Sequence, residues 1–217
     1  MILVIVLFIL VFLISFFLSL YSMRDFQHTP SEKEEYGVFL IKNPVVLNTE
    51  ILGQILDISS KKDSMISFER LFKGSEVALV IFAPRVLVSQ FKELDLLELE
   101  DYTDLNLDSL NIWEVDIRNT QNLKVNLPIL APNDRIWVQT IIKNNTAVRI
   151  AVYSENADNL KQITEKFQQN FKNSLPKIPK PYSKKQLFEF YKTRSMIKGE
   201  KQLKLKPEDI LSLCLFF

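Results

Sequence analysis

The chain opens on an apolar run with no periodic break. Residues 2–21 read ILVIVLFILVFLISFFLSLY, with Ser15 and Ser19 the polar exceptions and no charge. Twenty residues rising about 1.5 Å each span about 30 Å, the hydrocarbon thickness of a bilayer. No polar face exists at helical period. The pattern predicts an N-terminal transmembrane helix, an anchor over residues 1–22 that meets the lipid bilayer through residues 2–21. The run exceeds the roughly 7–15 residues of a signal-peptide core and lacks a basic leader and a small-residue cleavage site, so the anchor is expected to be retained. Arg24 and Lys33 follow it and no basic residue precedes it. The positive-inside bias then places a single-pass protein in the cell membrane with its folded part in the cytoplasm.

Residues 23–36 are polar and read as a tether. Beyond them, apolar runs and breaks alternate regularly. Residues 37–41 (GVFLI) predict a strand stopped at Asn43-Pro44. Asn48 caps a helix whose Ile51, Leu52, Ile55 and Leu56 form a core-facing stripe. Residues 66–72 predict a strand, Lys73-Gly74-Ser75 a turn and 76–82 another strand. Pro84 opens a second helix with Val86, Leu87, Phe91 and Leu94 on its apolar stripe and Gln90 as the polar exception. Residues 96–102 alternate Leu97 and Leu99 with Glu98 and Glu100, a half-buried strand.

The order βαββαβ over 37–102 predicts a ferredoxin-like α+β sandwich. That arrangement puts the first and third strands in the middle of the sheet and the second and fourth at its edges. The first and third are apolar on both faces, while the second carries Ser67, Glu69 and Arg70 and the fourth its glutamates. An apolar outer face needs a cover, expected from the next segment. Residues 103–175 predict a strand at 112–118, a hairpin of 135–142 and 147–153, and a helix at 157–173 bearing Leu160, Ile163, Phe167 and Phe171. Aligning Lys73-Gly74-Ser75-Glu76 with Lys143-Asn144-Asn145-Thr146 brings the two hairpins into register. The segment is therefore read as a second, degenerate copy of the same unit, its first helix shrunk into residues 119–133. Pro176, Pro179 and Pro181 then stiffen a linker, and residues 176–217 read as a Pro-rich basic tail with short helices, one of them over 182–194.

Charge changes this picture only locally. The 27 basic and 26 acidic residues leave a net charge of +1, which argues against a surface built throughout for nucleic acid. Yet residues 158–207 hold 13 basic against 4 acidic residues, and residues 92–116 hold 1 against 9. The basic tail is open to anionic lipid, at about 1 kcal/mol per lysine near the surface, or to the chain's own acidic belt. Tyr182, Phe188, Phe190 and Tyr191 interleave with Lys184, Lys185 and Lys192, a pattern that also suits single-stranded nucleic acid. A solvated amphipathic helix is the simpler account.

Candidate chemistry is sparse. One Cys rules out a disulfide framework, and four scattered Gly form no phosphate-cradling loop. His28, the sole imidazole, lies in the tether, away from any triad. Glu98, Glu100, Asp101 and Asp104 offer oxygen ligands to a hard cation, but the solvent face of an edge strand explains the glutamates better. Asn144-Asn145-Thr146 matches a glycosylation sequon at a hairpin tip where Asn suits the turn. Cys214-Leu215-Phe216-Phe217 has a prenylation-like form within an apolar end that is expected either to pack on a core or a partner or to mark the chain as the front part of something longer. No catalytic, cofactor-binding or metal-binding residue is expected.

Three stretches carry a resemblance: Ile66-Ser67-Phe68-Glu69; Glu98-Leu99-Glu100-Asp101-Tyr102; and Ala131-Pro132-Asn133-Asp134-Arg135-Ile136-Trp137-Val138-Gln139 with Thr140-Ile141-Ile142. Together, over roughly residues 36–145, they resemble the membrane-anchored N-terminal region of type IV secretion (conjugation) ATPases of small host-dependent bacteria. In that family a strand carries I-S-x-E, a helix after a Pro leads to an acidic strand ending in Asp-Tyr, and a later strand reads W-x-Q. The resemblance implies a bacterial inner-membrane protein with its folded part in the cytoplasm. It implies no ATP hydrolysis, because the chain has no G-x-x-x-x-G-K-[ST] motif. The expectation is a non-enzymatic, membrane-anchored assembly or docking domain of a secretion or envelope complex, with protein partners that include a secretion ATPase. The alternative is an extracytoplasmic anchored domain that binds a lipid or cell-wall ligand.

Overall fold

The computed structural model describes residues 2–23, 27–28, 34–103, 106–115, 128–143, 146–169, 182–197 and 205–215. Apolar alternation resolves into one antiparallel sheet built from β2 (Tyr36–Ile41), β3 (Ile66–Lys73), β4 (Glu76–Pro84), β5 (Leu96–Leu99), β6 (Leu110–Val115), β7 (Arg135–Ile142) and β8 (Thr146–Tyr153). Two short strands, β1 (Gln27–His28) and β9 (Met196–Ile197), pair separately. The helices are α1 (Ile2–Met23), α2 (Thr49–Lys61), α3 (Arg85–Val88), α4 (Ala157–Gln169), α5 (Lys184–Lys192) and α6 (Pro207–Leu215). The fold is α+β.

Local chemistry fixes the first helix of the sheet domain. Asn48 accepts a hydrogen bond from the Ile51 amide at 2.9 Å, and Glu50 and Lys61 sit at the helix ends their charges favour. Leu52 and Ile55 are buried against the sheet. Between β3 and β4, Gly74 takes φ +55, and a Cβ there would meet the Pro132 backbone at 3.3 Å. The helix expected after Pro84 is short: α3 ends at Val88, a 3-10 turn follows at Lys92–Leu94, and Asp95 adopts left-handed φ 45.

The strand order is β5-β2-β4-β3-β7-β8-β6. The strand expected at an edge, β3, is thus central, paired with β4 on one side and with β7 along its full length on the other. Two of the polar residues expected at that edge, Ser67 and Glu69, are fully buried, and Arg70 is half-buried. The segment expected to cover the first unit instead extends its sheet. About the β3–β7 junction the two sides mirror one another, a hairpin each with a further strand outside. Lys73 and Lys143 are 70 positions apart (143 minus 73), as are Glu69 and Gln139 (139 minus 69), and Glu69 and Gln139 are direct cross-strand partners. A local twofold therefore passes between them.

Helices cover both faces. On one, α2, α6 and α4 bury Phe39, Phe68, Ile81 and Leu87 towards one end and Trp113, Val138, Ile150 and Phe167 towards the other, with Ile210 and Leu213 of α6 reaching both groups. On the other face α5 lies over Leu110, Ile112, Trp137 and Ala151. The residues expected as a basic tail thus supply two helices packed on the sheet.

The expected transmembrane helix needs correction. Among the described residues, no helix is long and apolar enough to cross a membrane. The side chains described in α1, residues 7–18, are all exposed.

Candidate functional site: a buried charge network beneath α5

Four neighbouring strands place one polar residue each in a single cross-strand row. Glu114 of β6 stands opposite Arg149 of β8, Arg149 opposite Gln139 of β7, and Gln139 opposite Glu69 of β3. Arg149, Gln139 and Glu69 are fully buried. Strand alternation puts all four on the face that α5 covers.

The helix above is built to meet this row. Ser183 and Gln186 form a reciprocal capping box at its start. At its end the Arg194 amide bonds Tyr191 O at 3.2 Å and the Ser195 amide bonds Phe190 O at 3.0 Å, the pairing of a Schellman stop. The left-handed position of that stop is Arg194, with φ 48, where glycine is usual. Its side chain explains the choice. Arg194 Nε donates to Glu69 Oε1 at 2.9 Å, and Nη1 and Nη2 donate to the two oxygens of Asp101 at 2.6 and 3.3 Å. The guanidinium lies 4.5 Å from the Phe82 ring centroid and 5.9 Å from that of Tyr102.

The last carbonyls of α5, its negative end, receive side chains from the sheet. Arg149 Nη1 reaches Phe190 O at 2.8 Å and Gln139 Nε2 reaches Tyr191 O at 3.1 Å. Arg149 Nε also donates to Glu114 at 3.0 Å. Glu69 closes the cluster: Oε1 accepts from Ser67, Gln139 and Arg194, and Oε2 from the Tyr102 hydroxyl.

Burial would lower the Arg194 pKa, but the charge of Glu69 and the hydrogen bonds to Asp101 raise it above its ordinary value. Partial burial would raise Asp101, but its bonds to Arg194 outweigh that and hold it below the usual carboxylate range. Burial first, and Glu69 second, push the Tyr102 and Tyr191 hydroxyls well above theirs. Among the described residues, the Tyr191 hydroxyl and Gln139 Oε1 are buried without a hydrogen-bond partner. A carboxylate with four donors on its two oxygens has little acceptor capacity left for a substrate proton. The arrangement fastens one element to another.

No family model, curated protein or solved structure matches the chain.

The residues singled out in the sequence separate here. Of the acidic belt, Asp101 turns into the network, Glu98 pairs with Arg85, Glu100 is exposed, and Asp104 lies outside the described residues. Arg194 thus occupies the position beside Asp101 that a cation would take, and among the described residues no group of three acidic, His or Cys residues could hold a metal. The side chain of His28 and the Asn144-Asn145 tip are likewise outside the described residues. Phe188, Phe190 and Tyr191 are buried, which removes them as stacking platforms for bases. Cys214 is buried, its thiol pushed up to about 12 by burial against the opposing charge of Arg70. Three stretches singled out in the sequence meet in the network, through Ser67 and Glu69, Asp101 and Tyr102, and Gln139. Sequence reasoning missed Arg149 and Arg194 as its cations. A single charge inside the apolar strand TAVRIAVY was the signal for the first.

Proposed function

We propose that the chain is a docking domain of a bacterial secretion or envelope assembly, and that it performs no catalysis. The observation that carries this reading is the use of the buried polar groups: Gln139, Arg149 and Arg194 tie α5 and its C-terminal turn to the sheet, Glu69 accepts from Gln139 and Arg194, and Arg149 pairs with Glu114. Charges arranged this way make a platform of fixed shape, the property a docking surface needs. The convergence of the three motif stretches supports the link to secretion ATPases, because residues shared with that pattern then have a common structural duty. The test is cross-linking of tagged full-length protein in its native cells, followed by identification of the linked chains. A secretion ATPase or envelope subunit, linked in stoichiometric amount, is the expected product. Recovery of the protein alone, or with only lipid or glycan, would overturn the reading.

A further inference from the structure

The two ends of the seven-stranded sheet are protected differently. At one end β5 is four residues long, and Glu98, paired with Arg85, and exposed Glu100 guard it with charge. At the other end β6 runs for six residues, LNIWEV, with no proline, and its one charge, Glu114, is drawn inward to Arg149. The direction of its backbone groups follows from one bond. Ser154 N donates to Ser109 O at 3.1 Å, so the odd-numbered residues from 109 turn towards β8. The N–H and C=O groups of Ile112 and Glu114 then point away from the sheet, and among the described residues none bonds them. Across the local twofold, the strand corresponding to β6 is β2, and its matching edge is covered by an antiparallel strand, β5.

We propose that β6 is a docking edge and that its occupant is β6 of a second copy of this chain, paired antiparallel into one continuous sheet. A second copy presents the same unguarded groups, so one contact closes both edges. A twofold axis normal to the sheet and centred on Ile112 sets Ile112 against Ile112 and Leu110 against Glu114, with no like charges opposed. Residues of one face then meet residues of the same face, and the helix layers continue on each side. The chain already joins two similar halves this way, between β3 and β7. This deepens the docking reading, on which it rests, by naming one partner.

The test uses full-length protein in mild detergent, which keeps the exposed apolar α1 from associating. Light scattering on a sizing column should give twice the 25.3 kDa protomer mass. Amide hydrogen exchange at Ile112 and Glu114 should slow at least tenfold between dilute and concentrated samples. Ile112→Pro removes an outward donor and no internal ladder bond, and should give a monomer with unchanged circular dichroism. A wild-type monomer at every concentration overturns the proposal, as does a dimer that leaves both amides unprotected or survives Ile112→Pro. If that variant does not fold, the wild-type exchange data alone decide. A monomer that still cross-links to an envelope partner would overturn this inference and leave the docking function standing.

Discussion

Arg194 sits in a backbone conformation that glycine adopts freely and that costs other residues about 1–2 kcal/mol. The sequence accepts this strain because only a guanidinium at that point joins Glu69 and Asp101. Two opposing effects therefore separate on mutation. Arg194→Ala keeps the strain and leaves Glu69 buried without its cation, at a cost of about 3–5 kcal/mol. Arg194→Gly loses the same pairing but relieves the backbone, so urea denaturation should find it more stable than Arg194→Ala by about 1 kcal/mol. Equal midpoints would show that the strain is negligible. Asp101 gives a pH signature. Its folded pKa is held below the unfolded value of about 3.9. Its contribution to stability is therefore complete above that value and is lost as pH falls through the lower folded value. The difference in urea midpoint between wild type and Asp101→Asn should be constant near neutrality and shrink below about pH 4. A difference that persists in strong acid would contradict the ion pair.

At the scale of elements, burial pattern made most strands and the capped α2 legible, because alternation and caps are local signals. The role of β3 was not legible. Ser67 and Glu69 alternate with apolar residues as they would on a half-solvated edge, and only the pairing with β7, some 70 positions on, shows that the polar side faces α5. The aromatic residues of α5 and the apolar stripe of α6 were legible as stripes, but their destination was set by a sheet assembled from distant strands. The network was half legible. Glu69, Tyr102 and Gln139 stood in motifs, whereas Arg194 lay in a basic segment that read as solvated. α6 also supplies a direct check on packing. Cys214 is buried, its carbonyl accepts from Arg70 at 3.1 Å, and its thiol is pushed up to about 12. The native protein at pH 8 should resist alkylation by iodoacetamide, and urea should make the thiol reactive. Rapid labelling without urea would mean that α6 does not stay docked.

At the scale of the whole molecule, the local twofold between Glu69 and Gln139 has a chemical consequence. A residue beside such an axis meets its counterpart, so identical halves would bring two carboxylates together inside the protein. One of them would have to keep its proton at neutral pH. A single chain escapes this requirement, since its two halves are free to differ, and here one side is an acid and the other its amide. The amide supplies the N–H that the acid accepts, at 3.2 Å. Restoring the symmetry by Gln139→Glu should lower stability near neutral pH and return part of it in mild acid, as the added carboxyl takes up a proton. Denaturation midpoints across pH 4–8 would record this, and a uniform loss at every pH would contradict it. Covalent joining of the halves thus does more than hold them near one another: it makes available a seam of one carboxylate against one amide, an unlike pair that two identical chains could not form.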